Sequence, residues 1–325
     1  MEQNYLAIDI GGTKIASAIV TLTKVPKVSH KRQIPTLASN GGEDVLKRLC
    51  GLVAEQLELT QTQGIALAGI GIGSAGVVDS TKGMIASATD LMPGWAGQLV
   101  VQALKQVSDL PIYMVGDVGA HGLGEAVYGA GKNYKSQLCV GVGTGIGGAF
   151  IQDGQIVAGA HNVAGHIGHM AHGLGKGFSC SCGTTSGHIE PVASGTGLAD
   201  LYRSLVLQNI NQQKQSDLNL DEIQGKQVVE LALAGDEIAQ TTLQNSGRAL
   251  GEVVAGACNL LDPEVVIFSG SVIKAGDLWW SSVCAGFKDA ALTLLKDIPL
   301  LLAELGDDAP LIGAACAVEK YTMTN

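Results

Sequence analysis

The chain has 325 residues and a formal net charge of −10 at pH 7. That charge argues against binding to a nucleic-acid backbone, which needs clustered lysine and arginine. Hydrophobic residues make up 46% of the chain and charged residues 15%, so a packed core is expected and extended disorder is excluded. The 45 glycines follow no Gly-X-Y period, which excludes a collagen helix and predicts many tight turns.

The cysteine content and the longest apolar run predict a cytoplasmic protein. Seven cysteines occur without a secretory signal at the start, so closely spaced cysteines are expected to bind metal rather than to form disulfides. The longest weakly polar run, 64–78, contains five glycines and is too short for a membrane helix. No membrane contact is therefore expected.

The apolar runs and glycine turns predict a mixed α/β fold. The predicted elements in chain order are strands at 6–10 and 15–20, a helix at 43–59, strands at 65–72, 112–115, 138–142 and 149–151, a helix at about 238–261, a strand at 265–268 and a helix at about 313–323. Polar residues 207–222 are expected to form an exposed connection. Strand–turn–strand units alternating with helices are typical of the α/β class.

The first glycine turn, Asp9–Lys14, has the residue types of an anion site. Only this turn separates the first two strands, so a β-hairpin is predicted there. Glycine backbone can direct N–H groups at an anion, Thr13 and Lys14 add a hydroxyl and a cation, and Asp9 could hold hydrated Mg²⁺. An ordinary hairpin turn explains this segment by itself equally well.

A second glycine turn, 143–148, also lies between two apolar strands. Two such turns favour phosphate binding much more than one does, and they predict two similar halves with a cleft between them. Asp117 follows the strand at 112–115 and could act as a general base. Considered alone, Asp117 fits a helix N-cap better.

The densest chemical cluster predicts a structural metal site. His169, Cys180, Cys182 and His188 lie within a short stretch, and His172 is an additional candidate ligand. Thiolate and imidazole ligands suit a tetrahedral Zn²⁺. Unrelated thiols and solvent-facing histidines are the alternative.

Together these segments resemble the ROK family of bacterial sugar kinases, within the actin-like ATPase superfamily. The matching segments, in order, are AIDIGGTK at 7–14, GIGSAGVVD at 71–79, DLMPGW at 90–95, GD at 116–117, VGTGIGGA at 142–149, AGHIGHM at 164–170, IEPVASGTG at 189–197 and DPEVVIFSGS at 262–271. The resemblance covers nearly the whole chain. It implies a two-domain, ribonuclease H-like α/β fold with an interdomain cleft, in which residues 1–117 and 312–325 form the small domain and 118–311 the large one.

The resemblance implies that the chain transfers a phosphoryl group from Mg²⁺-bound ATP to the 6-hydroxyl of a sugar. Asp117 then takes the place of the family's general base. The implied nucleotide-binding residues are Asp9, Gly11, Gly12, Thr13, Lys14, Gly143, Thr144, Gly145, Gly147, Gly148 and Gly270. The implied sugar-binding residues are Asp90, His166, His169 and Glu190. The family commonly forms dimers, so a homodimer is expected.

The chain departs from the family pattern at the metal site and in the sugar pocket. His188 falls where the family's last zinc cysteine belongs, which implies a His₂Cys₂ zinc site. His166 replaces a usual glutamate, and residues 164–169 are similar to those of bacterial N-acetylmannosamine kinases. N-acetylmannosamine is therefore the expected substrate, which would place the protein in sialic-acid catabolism, with glucose or N-acetylglucosamine as alternatives.

Two non-catalytic functions are alternatives to the kinase. Gly116 replaces the asparagine that normally precedes the base, and this change together with His166 makes a non-catalytic sugar sensor an alternative. The ROK repressors carry a DNA-binding domain before the sugar-binding part. Here the first glycine turn begins at residue 11, and the net charge is negative, so DNA binding is not expected.

Overall fold

The computed structural model describes residues 2–209 and 219–324. Within them the strands are β1 (Gln3–Ile10), β2 (Lys14–Leu22), β3 (Lys27–Pro35), β4 (Leu67–Ser74), β5 (Val77–Asp79), β6 (Met84–Ser87), β7 (Ile112–Gly116), β8 (Ser136–Val142), β9 (Ile146–Gln152), β10 (Gln155–Ile156), β11 (Ala171–Lys176), β12 (Ser186–His188), β13 (Val265–Ser269) and β14 (Leu300–Leu302). The helices are α1 (Gly42–Thr62), α2 (Val100–Leu104), α3 (Asp117–Tyr128), α4 (Glu190–Ala193), α5 (Gly195–Asn209), α6 (Gly225–Leu233), α7 (Glu237–Leu261), α8 (Asp277–Ala290) and α9 (Ala309–Thr324).

The first sheet has five strands in the order β3-β2-β1-β4-β7. The predicted hairpin is confirmed, because β1 and β2 pair antiparallel up to Ile10 opposite Ile15. β3 continues this antiparallel part, whereas β4 and β7 run parallel to β1. The carboxyl ends of three parallel strands therefore meet at one edge of the sheet, which is where ligands bind in open α/β sheets.

The second sheet also has five strands, in the order β10-β9-β8-β13-β14, and β13 and β14 run parallel. The second glycine turn lies between β8 and β9. Two short antiparallel pairs, β5 with β6 and β11 with β12, complete the strand pairing in the described part of the chain. Two five-stranded sheets with helices confirm the predicted α/β class.

The chain divides into two compact units. Unit 1 comprises Met1–Gln137, Ala149–Ala164 and Ala303–Asn325, and unit 2 comprises Leu138–Gly148 and Gly165–Leu302. The boundaries predicted at residues 117 and 312 both fall inside unit 1, at the start of α3 and within α9.

The core of unit 1 is formed by the first sheet and the helices that pack on it. The predicted amphipathic helix corresponds to α1, in which Leu49 and Val53 are fully buried. Its first turn carries Glu43 and Asp44, whose charges favour a helix N-terminus. In α9, a Cβ on Gly313 would lie 1.7 Å from a backbone oxygen of α3, so glycine allows the two helices to touch.

The core of unit 2 is formed by the long helix α7, by α8 and by strands β8 and β13 of the second sheet. Phe268 of β13 and Trp279 and Phe287 of α8 are completely buried. Asp236 caps the start of α7 by accepting the N–H of Ala239 at 2.7 Å. These residues anchor the strand that leads into the turn at Gly270.

Two further expectations concern membrane-spanning helices and the connection at 207–222. Among the described residues, none of the helices has the length and apolar composition needed to cross a membrane. Of the predicted exposed connection 207–222, residues 210–218 lie outside the described residues, and its beginning is the end of α5.

Candidate functional site

The first glycine turn lies in unit 1 between β1 and β2. The N–H of Gly11 donates to the Lys14 carbonyl at 3.0 Å, and the Thr36 hydroxyl donates to the Gly11 carbonyl at 2.7 Å. Within the described residues, the N–H groups of Gly12 and Thr13 have no acceptor. Gly12, Thr13 and Lys14 are exposed. The turn therefore presents two backbone donors and a cation to an incoming anion.

Two carboxylates lie at the carboxyl edge of the first sheet. Asp9 is near the end of β1, and Asp117 begins α3 directly after β7. A Cβ on Gly73 of β4 would lie 3.7 Å from Asp9 Oδ1 and 3.8 Å from the Cα of Asp117, so both residues flank this glycine. Burial, and then the neighbouring Asp117, raises the pKa of Asp9 to about 6. A bound cation would relieve both causes.

Asp117 is held at the start of its helix. Its Oδ1 accepts the N–H of Val118 at 2.8 Å, and its side chain is half-buried. Gly116, rather than Asp117, occupies the N-cap position of α3. Asp117 is therefore not the N-cap of α3 but the residue that follows it. Its carboxylate lies in the first turn, where a helix favours negative charge.

Asp90 is an exposed residue of unit 1 in the loop after β6. The loop is anchored a few residues later by Trp95, which is fully buried. The indole N–H of Trp95 donates to the hydroxyl of Ser74 at the end of β4, at 3.3 Å. A polar side chain is thus carried on a loop that is fixed to the carboxyl edge of the first sheet.

The second glycine turn, in unit 2, is hydrogen-bonded to the first residues of α5. The N–H of Gly143 donates to the Gly145 carbonyl at 2.9 Å, and the N–H of Gly195 donates to the Gly143 carbonyl at 2.7 Å. The Thr196 hydroxyl donates to the Thr144 carbonyl at 2.8 Å. Over the described residues, the N–H groups of Thr144 and Gly145 have no acceptor. Like the first turn, this one offers backbone donors.

Three further glycines were predicted to bind nucleotide, two at the end of the second turn and one beside it. Gly147 and Gly148 continue into β9. Gly270 follows β13 with a φ of 95°, and a Cβ there would lie 2.3 Å from the carbonyl oxygen of Val142, the last residue of β8. Only glycine fits this backbone shape and this approach. The loop after β13 thus lies directly against the beginning of the second turn.

Glu190 opens α4 and faces the second turn. Its Oε2 accepts the N–H of Ile146 at 2.9 Å and would lie 2.6 Å from a Cβ on Gly145. Its Oε1 accepts the Ser181 hydroxyl at 2.5 Å, and the Cys180 thiol lies 3.9 Å away. A carboxylate has about four lone-pair positions, so acceptor capacity remains for sugar hydroxyls.

The four predicted metal ligands come together in unit 2. Their ligand atoms all lie within 4.8 Å of one another. The pairs Cys180 Sγ–His169 Nδ1 and Cys182 Sγ–His188 Nδ1 are each 3.4 Å apart. Tetrahedral Zn²⁺ bonds of about 2.0–2.3 Å require ligand separations of about 3.3–3.8 Å. The donor set and these two 3.4 Å pairs therefore fit a zinc site.

Three histidines in and beside this cluster, His166, His169 and His172, have different surroundings. Burial lowers the pKa of His169, which favours the neutral imidazole that a metal needs. His166 is exposed, and its ring stacks on that of His169 with centroids 6.1 Å apart. The prediction that His172 is an additional ligand is wrong. Its Nε2 lies 2.9 Å from a carboxylate oxygen of Glu252, and its Nδ1 accepts the N–H of Leu174 at 3.2 Å.

The profile of the ROK family matches residues 5–321. The chain belongs to the ROK family.

Among the relatives of this ROK protein is a glucokinase of Halalkalibacterium halodurans, 31% identical over 97% of this chain and 95% of that one. An N-acetylmannosamine kinase of Escherichia fergusonii is 30% identical over 95% and 96%. A solved ROK glucokinase of Streptomyces griseus, in complex with glucose and AMPPNP, superposes with a TM-score of 0.78 at 26% identity. It covers 98% of this chain and 99% of its own.

Two contacts of the ROK site were not found from the sequence. Ser181 lies between two candidate ligands and looked like a spacer, and the Ile146 N–H is a backbone group without any sequence signal. Both meet Glu190, which is 44 residues from Ile146 along the chain. The one signal in the sequence is the position of this serine between two cysteines that are candidate metal ligands.

Proposed function

We propose that this ROK protein is an ATP-dependent hexose kinase that phosphorylates the sugar 6-hydroxyl, with glucose as its preferred substrate. The observation that carries the proposal is the end-to-end similarity to glucokinases, one of which was solved with glucose and an ATP analogue. The similarity covers 97% of this chain in the first case and 98% in the second, so it is not confined to one of the two units.

The nucleotide would be held mainly by backbone. The open N–H groups of the two glycine turns and the Lys14 ammonium would bind the phosphates, and Gly270 would allow close approach of the nucleotide. Asp9 would supply an oxygen ligand for Mg²⁺, which would neutralise charge on the phosphates. Phosphoryl transfer needs chiefly positioning and charge neutralisation, so this set of groups is sufficient.

Asp117 would be the general base. Its carboxylate would accept the proton of the sugar hydroxyl as that hydroxyl attacks the γ-phosphate. The position at the end of β7 and the start of α3 fixes the carboxyl group within one turn of a rigid helix. Its neighbour Gly116 leaves the hydroxyl contact of the family's usual asparagine unmade, so Asp90, His166, His169 and Glu190 would carry sugar recognition.

N-acetylmannosamine is the second candidate substrate. It is supported by the 30% identical kinase of Escherichia fergusonii and by the Ala164–His169 segment, in which His166 replaces glutamate. A neutral histidine offers one donor and one acceptor, whereas a carboxylate only accepts. Glucose is placed first because the more similar relative of the two is a glucokinase.

We also propose that His169, Cys180, Cys182 and His188 hold a structural Zn²⁺. The ion would close the loop that leads to Glu190 and would fix His169 through Nδ1, leaving its Nε2 for a sugar hydroxyl. A cytoplasmic homodimer remains a prediction.

The test is a coupled ADP-release assay with Mg-ATP and a panel of glucose, N-acetylmannosamine, N-acetylglucosamine, mannose, fructose and allose. A higher kcat/KM for glucose than for any other sugar supports the proposal, and a preference for N-acetylmannosamine selects the second candidate. The Asp117→Asn variant should retain sugar binding by calorimetry and lose at least about 100-fold in kcat. Sugar binding without ADP release from any substrate, in folded zinc-loaded protein, would instead indicate a sensor.

A further inference from the structure

A chain of two hydrogen bonds through Glu190 joins the loop that carries Cys180 and Cys182, here called the metal-binding loop, to the second glycine turn. The Ser181 hydroxyl donates to Glu190 Oε1 at 2.5 Å, and the Ile146 N–H donates to Glu190 Oε2 at 2.9 Å. Ser181 lies between the candidate ligands Cys180 and Cys182, and Ile146 is the first residue of β9 after the turn. One carboxylate thus touches both segments, one through each oxygen.

Ser181 is the contact in this chain that survives metal binding. Without metal, the Cys180 thiol can also approach Glu190 Oε1, at 3.9 Å. A metal-bound cysteine is a thiolate and has no proton to donate. The hydroxyl of Ser181 keeps its proton, so it remains the side-chain donor to Oε1 in either state. Hydrogen bonds to a carboxylate are shorter and stronger than those between neutral groups.

We propose that Ser181 is a positioning residue, which fixes the Glu190 carboxylate and through it the Ile146 end of the second glycine turn. The proposal rests on the proposed kinase function, because that function gives Glu190 a sugar to bind and the turn a phosphate to bind. An ordered metal-binding loop would then fix the geometry of both Glu190 and the second glycine turn. Ser181 itself need touch neither substrate.

The two oxygens of the Glu190 carboxylate accept hydrogen bonds from different segments. Oε1 is turned toward the metal loop and Oε2 toward the turn, with Oε2 lying 2.6 Å from the position of a Gly145 Cβ. Rotation of the carboxyl group after loss of the Ser181 bond would weaken the bond to the Ile146 N–H. The amide hydrogen of Ile146 is therefore a direct reporter of the chain of contacts.

The test compares wild type with Ser181→Ala, Ser181→Thr and Thr185→Ala in the full, zinc-loaded protein. The threonine variant keeps a hydroxyl at position 181. Thr185→Ala removes an exposed hydroxyl from the same loop but outside this chain of contacts. Amide hydrogen exchange is followed by mass spectrometry on peptides that resolve Ile146, zinc content is measured on each sample, and KM and kcat are determined for glucose.

We expect Ser181→Ala to keep one zinc and to exchange the Ile146 amide about 5- to 10-fold faster than wild type. The KM for glucose should rise about 5-fold with kcat within about 2-fold, because a ground-state contact is weakened. Ser181→Thr should restore both values, and Thr185→Ala should match wild type. Removing zinc with a chelator should accelerate the Ile146 amide in wild type more than in Ser181→Ala, since the link is already broken there.

Unchanged exchange at Ile146 in zinc-loaded Ser181→Ala overturns the proposal. So does loss of zinc from that variant, because Ser181 would then only support the metal loop. A raised KM without faster exchange also overturns it, since Ser181 would then act on the sugar directly. If wild type phosphorylates no hexose, the proposed function fails while the exchange measurement still decides the role of Ser181.

Discussion

Asp9 is expected to destabilise the protein at neutral pH. Burial and the nearby Asp117 raise its pKa from 3.8 to about 6, so the folded chain disfavours the ionised carboxylate. For an acid with a raised folded pKa, stability is greatest when the group is protonated and declines as pH rises from about 4 to about 6. Replacing Asp9 by asparagine removes this loss.

The size of the effect follows from the two pKa values. The shift from 3.8 to about 6 corresponds to about 3 kcal/mol at about 1.4 kcal/mol per unit. The stability gained by Asp9→Asn should therefore be about 0.5 kcal/mol at pH 4 and approach about 3 kcal/mol at pH 7 to 8. Mg²⁺ with ATP should reduce the difference, because a bound cation stabilises the wild-type carboxylate.

Urea denaturation of wild type and Asp9→Asn between pH 4 and pH 8, with a chelator for divalent cations, measures this difference directly. Contributions of titrating groups that do not interact with Asp9 cancel when the two proteins are compared at the same pH, whereas the coupling to Asp117 is part of the measured difference. Asp308→Asn is a suitable control, since Asp308 is a partly exposed carboxylate of unit 1 that pairs with Lys31. A stability difference that is independent of pH, or that shrinks as pH rises, would refute the electrostatic reasoning.

The remaining predictions concern packing and the metal. Glu125 is completely buried and accepts the N–H groups of residues 130, 304 and 305 at 2.7–3.1 Å; Glu125→Ala should lower the free energy of unfolding by about 3 kcal/mol or more, and Glu125→Gln by less. Gly313→Ala would place a Cβ 1.7 Å from the Ala120 carbonyl oxygen, so thermal unfolding should occur at a temperature at least about 5 °C lower. His188→Ala should bind less than one equivalent of zinc by elemental analysis, whereas His188→Cys should bind a full equivalent; full occupancy in the alanine variant would remove His188 from the ligand set.

Local patterns in the sequence were sufficient for the elements that frame the site. The hairpin around Gly11, the helix containing Leu49 and the strand before Gly270 are each marked by an apolar period and a turn residue. The His/Cys cluster that could hold a metal ion was predicted because three of its four residues lie within nine consecutive positions and their chemistry is distinctive. Such signals are short-range, so a sequence carries them without knowledge of the fold.

Elements without an apolar pattern were missed. Strand β3 is an edge strand whose residues are mostly exposed or half-buried, and it reads as a polar segment. An edge strand buries little of its side-chain surface, so its position is decided by pairing with β2 rather than by its own composition. The surroundings of His172 are likewise decided by a partner distant in the chain. His172 was predicted as an additional candidate ligand because it is near the other candidates in sequence. Its partner Glu252 lies on α7, 80 residues away.

The sequence by itself determined the family, the mixed α/β class and the residue types of the site. Those features depend on glycine, aspartate, cysteine and histidine at fixed short spacings. Only the tertiary structure decided that Asp117 and Asp9 flank one glycine, that burial raises the pKa of Asp9, and that Glu190 bridges Ser181 and Ile146. Burial and electrostatic coupling depend on groups that are distant in the chain and adjacent in space, and no local pattern specifies them.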